Sequence, residues 1–179
     1  MPALRGLRFL LVPVAVVSAW HLREHPPATY GAASHSAAPG TERPSALVGT
    51  WRVTKFCTED STGHLSEPYG SHPTGYFMYA PNGQLSIQAM RTPPVRPFAG
   101  GDDHPTGRER RELLEAYFGY YGTYTITSDS TVVHHVLAGT IPSYIGTDQP
   151  RLYQIRGDTL TIGGSRTTWP CRALIRVRE

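Results

Sequence analysis

The chain has 179 residues, 39% of them hydrophobic and 17% charged, which fits one globular domain with room for a single core. The net charge is only +3, Lys55 is the sole lysine, and the arginines are scattered along the chain instead of gathered beside aromatics, which argues against a nucleic-acid partner. With 18 glycines, 16 prolines and many Thr, Tyr and Val, the composition favours strands and turns over helices.

The first segment carries the three parts of an export signal: basic MPALRGLR, apolar FLLVPVAVV, and the small residues of Val17-Ser18-Ala19. This predicts a signal peptide over residues 1–19 and a mature chain starting at Trp20. The apolar run is too short for a comfortable span of about 20 residues and is broken by Pro13, so contact with a membrane is expected only if the signal is kept as an anchor. Residues 20–45 are rich in Pro, Ala, Ser and Gly without a hydrophobic period, the composition of a flexible leader. The folded domain is expected over 46–179, in an extracytoplasmic, secreted or periplasmic setting.

Within it, LVGTWRVTKF reads as the first strand and EDSTGHLSEP as turn. TGYFMYA, Pro81-Asn82-Gly83 and QLSIQAM form a hairpin signature. After a proline-rich loop, Thr106-Gly107-Arg108-Glu109 has the form of a capping box, and Leu113, Leu114, Tyr117 and Phe118 recur at helical spacing behind it. This is the one convincing helix. The rest reads strand after strand: YYGTYTIT, TVVHHVLAG, PRLYQIR, DTLTIG and CRALIRVR. Such spacing predicts an all-β antiparallel barrel or sandwich with one short α-helix.

Gly49-Thr50-Trp51-Arg52, His72-Pro73-Thr74-Gly75-Tyr76, Pro81-Asn82-Gly83 before Ser86-Ile87-Gln88-Ala89-Met90-Arg91, Tyr121-Gly122-Thr123-Tyr124, His134-His135 and Gly146-Thr147-Asp148-Gln149 together resemble the lipocalin-like domain family. The resemblance spans about Ala46 to Arg178 and implies a closed up-and-down antiparallel barrel with a small interior cavity. It also implies an arginine of the last strand lying over Trp51. Arg176 stands where an aromatic is common in the family, so Arg178 is the residue expected there. With Trp51 beside Arg178, Cys57 and Cys171 fall one residue from the same antiparallel register, which predicts a disulfide across the seam of an exported barrel. Two free buried thiols are the blander alternative.

Alternate residues of a barrel strand face the lumen, so only one of the adjacent His134 and His135 can point inward. The set Val132, His134, Val136 and Ala138 tapers toward small residues and is favoured for the inside, with Leu137 outside under the helix. Gln88, in register with Ser86 and Met90, supplies a mixed polar set. Tyr76, Tyr121, Tyr124, Arg151 and Tyr153 complete the candidates, and together they have the composition of a small-molecule site. Each has a plain structural reading: a satisfied core histidine, rim tyrosines, and an Arg151 paired with Asp148. Asp102-Asp103-His104 is a loop cluster without a second ligand motif, so no metal and no cofactor is expected.

Three functions fit: an exported carrier of a small apolar or amphipathic molecule; a cofactor-free isomerase, cyclase or dehydratase with His134 or His135 as acid or base; and a structural envelope module with a filled barrel.

Overall fold

The computed structural model describes residues 45–178; the expected signal and all but the last residue of the expected leader lie outside the described residues. The strands are β1 (Gly49–Lys55), β2 (Thr58–Glu59), β3 (Leu65–Ser66), β4 (Tyr76–Tyr79), β5 (Gln84–Met90), β6 (Tyr117–Ser128), β7 (Thr131–Gly139), β8 (Asp148–Arg156), β9 (Thr159–Gly163) and β10 (Ala173–Arg176), with one helix, α1 (Gly107–Ala116). Eight strands close an antiparallel barrel in the order β1-β10-β9-β8-β7-β6-β5-β4, while β2 and β3 form a separate two-stranded ribbon inside the segment expected as turn.

Residues alternate in and out on every strand. The interior is built from Trp51 and Val53 of β1, Phe77 and Tyr79 of β4, Leu85, Ile87 and Ala89 of β5, and Leu160 and Ile162 of β9, all buried. Tight turns join the strands at one end. In the β4–β5 hairpin, Gly83 N donates to Ala80 O at 3.0 Å and Gly83 sits at φ 81°, a left-handed conformation that only glycine adopts without cost.

The other end carries α1, the β2–β3 ribbon and two 3-10 turns, Pro142–Tyr144 and Trp169–Cys171. Helix α1 begins at the expected capping box: Thr106 Oγ1 accepts from Glu109 N, and the Glu109 carboxylate accepts from Thr106 N at 2.7 Å. The Thr106 hydroxyl, donating to the Glu109 carboxylate at 2.7 Å, and then the Ala99 and Thr106 N–H groups hold that carboxyl at about 2. The helix ends earlier than its apolar spacing suggests. Tyr117 is already extended (φ −130°, ψ 138°), and Tyr117 and Phe118 open β6 instead. Leu113 and Leu114 are exposed, and Leu137 is exposed on β7 instead of lying under the helix, which runs directly into β6.

The seam corrects one expectation and supports another. Trp51 pairs with Arg176, whose guanidinium lies 4.0 Å over the indole and donates to Val48 O at 3.0 Å. Arg178 is instead an exposed partner of Asp158. The reason is register: β10 ends at Arg176, so the latch falls two residues earlier than expected. A one-residue shift between Val53 and Lys55 then brings Lys55 opposite Ala173. Continued past the strand ends, the shifted register sets Cys57 against Cys171, and the two form a disulfide with a Cα separation of 5.9 Å. Closing a loop with a sequence separation of 114 restricts the unfolded chain by about 5 kcal/mol in the chain-entropy model.

Candidate functional site

His134 is the histidine that faces the lumen, with 1% of its surface exposed, because β7 alternates Val132, His134, Val136 inward. Both ring nitrogens are engaged by phenols from across the barrel: Tyr79 Oη lies 2.9 Å from Nε2, and Tyr120 Oη lies 2.7 Å from Nδ1. Burial pushes the imidazole down to about 3, helped by the Arg151 charge and then by His135. It is therefore neutral at physiological pH. Burial also pushes Tyr79 well above its ordinary value and Tyr120 up to about 12, the latter against the opposing pull of Arg151. All three groups are neutral, and together they carry three polar protons: one N–H and two O–H. Two of these make the two contacts, so in either tautomer one phenolic proton remains free to serve another acceptor.

Arg151 stands beside this relay with 8% of its surface exposed. It donates to Pro150 O at 2.9 Å and to Gln149 Oε1 at 3.3 Å, and its guanidinium lies 5.6 Å from the Tyr144 ring centre. It does not pair with Asp148, which accepts from His135 Nδ1 at 2.6 Å on the outer face. A row of aromatic contacts leads from Tyr144 through Tyr120, Phe118 and Phe56 to a second guanidinium, Arg172, 4.5 Å over the Phe56 ring.

The structure sorts the remaining candidates by strand face. Tyr124 and Tyr153 point inward: Tyr124 stacks edge-on against Tyr79 and donates to Ala80 O at 2.8 Å, while Tyr153 is buried with its hydroxyl toward Ser128 O. Tyr76 (45% exposed) and Tyr121 (56%) point outward, as do Gln88, Ser86 and Met90. On β5 the apolar set Leu85, Ile87, Ala89 takes the lumen, because the barrel is mostly packed core and an unpartnered amide there would cost too much. Gln88 instead donates to Ser86 Oγ at 3.2 Å on the surface. Gln88, Ser86 and Tyr121 do come together, over Gly119, around an outer hollow of about 190 Å³. Tyr79 and Tyr120, which bond His134, are the residues of this candidate centre that the sequence reading missed. His135 is the outer member of the pair, held between Asp148 and Thr125 Oγ1 at 3.0 Å.

A larger crevice of about 730 Å³ opens where the β6–β7 turn, β8 and the Trp169–Cys171 turn meet, lined by Ile126, Asp129, Tyr153, Ile155, Arg166 and Trp169 among others. It does not touch His134 directly. The two regions share one strand face, however: Tyr153 is the next inward residue after Arg151 on β8, about 6.6 Å along the strand. Ile126 is joined to Arg151 through Val132 by consecutive register pairs. A molecule in the crevice therefore lies one strand repeat from the donor-rich centre. Among the described residues no cluster of three His, Cys, Asp or Glu is placed to hold a metal ion.

Comparison with known proteins agrees with this architecture. A relative from Aspergillus oryzae, described as a 4'-hydroxy-3'-methoxypropiophenone carrier protein, is 33% identical over 87 residues, covering 44% of this chain and 77% of the relative. The family model for the lipocalin-like domain matches residues 48–173, the barrel from its first strand to its last, and the chain belongs to that family.

Proposed function

We propose that the protein is an exported binder or carrier of a small oxygenated aromatic molecule, held with its body in the crevice beside Tyr153 and its polar end toward Arg151 and the Tyr79–His134–Tyr120 relay. The observation that carries this reading is the interior itself, in which a free phenolic proton and a guanidinium converge among aromatic rings. A relative named as a carrier of an aryl ketone supports the ligand class, since a keto or phenolic oxygen is the acceptor such donors fit.

The same geometry weighs against acid–base catalysis by the histidines. A base held near 3 with both nitrogens engaged is poorly matched to proton transfer at neutral pH, and His135 lies on the opposite face of the wall. Export is supported by the basic, apolar and small-residue order of residues 1–19 and by a disulfide of the kind that persists in oxidising compartments. Among the described residues no helix is long and apolar enough to cross a membrane.

Native mass spectrometry of protein purified from its own host tests both halves of the proposal. The expected spectrum shows a chain starting at Trp20 carrying an aromatic adduct that is lost on denaturation. An adduct-free protein that also binds no 4'-hydroxy-3'-methoxypropiophenone on titration would sink the carrier reading.

A further inference from the structure

Three Lys or Arg side chains and two histidines meet carboxylates among the described residues, and none of these pairs includes Arg151 or Arg172. Both guanidiniums are nonetheless drawn into the protein: Arg151 is buried, Arg172 partly so, and burial followed by the Arg151 charge pulls Arg172 below its ordinary value. Their nearest polar company consists of phenols, backbone carbonyls and the Gln149 amide, all uncharged acceptors. Arg172 Nε donates to Cys57 O at 2.7 Å, and Tyr144, Tyr120 and Tyr69 complete the set. Tyr69 and Tyr120 are both pushed up to about 12 by burial, so neither of these phenols supplies a negative charge at neutral pH.

Two like charges in one interior with no carboxylate facing them is a costly arrangement, because buried charges are normally paired. Aromatic faces offset a part of that cost. The donor surplus points the same way: Arg151 has five N–H groups and two hydrogen bonds, beside a relay with a proton to spare. We propose that the missing partner is the ligand's own charge, so that the barrel selects an organic anion, an oxyanion on an aromatic body, over its neutral counterpart. This rests on the reading of the interior as a ligand chamber and adds the charge of what it takes.

The test uses protein refolded from denaturant to strip any carried ligand, titrated calorimetrically with 2-naphthoate and with methyl 2-naphthoate. The two share a body and differ in charge. The anion is expected to bind at least about tenfold tighter, the worth of one charge-assisted hydrogen bond. Arg151→Met should bring that ratio close to one. The same substitution should raise the melting temperature of the ligand-free protein, since it removes an unpaired charge and keeps an apolar stem of similar length. Equal or tighter binding of the ester by the parent overturns the inference and leaves a chamber for neutral ligands. Binding of neither probe overturns both the inference and the chamber. A drop in the melting temperature of Arg151→Met shows the guanidinium to be satisfied by the fold, and overturns the charge argument by itself.

Discussion

His134 and His135 are neighbours in the chain and live in different solvents. On the inner face of β7, His134 is enclosed by two phenols and a guanidinium and stays neutral. On the outer face, His135 meets the Asp148 carboxylate and the Thr125 hydroxyl, both in reach of water. One residue of pleat separates a group whose loss would leave two buried hydroxyls without partners from one whose partners can turn to solvent. The difference shows that the chemistry of this barrel is decided by strand parity, not by which residue types are present.

The largest expected effect comes from breaking the inner side. His134→Leu should cost roughly 2–5 kcal/mol in urea unfolding, because it strands both the Tyr79 and Tyr120 hydroxyls in an apolar surrounding. A loss under about 1 kcal/mol would mean that the two faces of β7 differ less than their contacts suggest.

A pH series sharpens the contrast. The folded-state value of His134 is depressed from 6.5 to about 3, so below 6.5 the unfolded chain takes up a proton that the folded chain refuses. Stability from this group is complete above 6.5 and is lost as the pH falls, at up to about 1.4 kcal/mol per pH unit. The window from pH 6.5 to 5.5 isolates it, since the depressed carboxyls of Glu109 and Asp60 have ordinary values of 4.5 and 3.8 and take up protons in the unfolded chain mainly below that range. His134→Gln should flatten the slope there, and an unchanged slope would assign it elsewhere. The smallest effect belongs to the outer face. His135→Gln should change stability by no more than about 0.5 kcal/mol, as for other exposed ion pairs.

Much of the barrel could be read from the sequence, because its signals are local. The Pro81-Asn82-Gly83 turn, the Thr106–Glu109 capping box and the β7 pattern that put His134 inside all depend on residues a few positions apart. The site was less legible because it depends on register between strands. Tyr121 and Tyr124 are three residues apart and cannot share a face of a regular strand; parity assigns Tyr124 to the set of Tyr120 and Gly122. That clue was present in the sequence. By contrast, the meeting of Tyr79 with His134 across the lumen follows only from barrel closure, and no spacing announces it. The Trp51 latch failed for the same reason: a last strand ending at Arg176 instead of Arg178 moves the cation–aromatic contact by two residues while the cysteine pairing, which follows the shift at Val53–Lys55, survives.

The Cys57–Cys171 bond makes almost the entire wall of the barrel a covalent ring. Six of its eight strands, β4 to β9, lie wholly within the span between the two cysteines, while β1 ends two residues before Cys57 and β10 starts two residues beyond Cys171. A single peptide-bond cut anywhere inside that span, including the exposed proline-rich loop before α1, yields two pieces that stay joined and keep their strands in register. A nicked molecule would run as one species until it is reduced. For a chain that meets a protease, cleavage would then be a different event from loss.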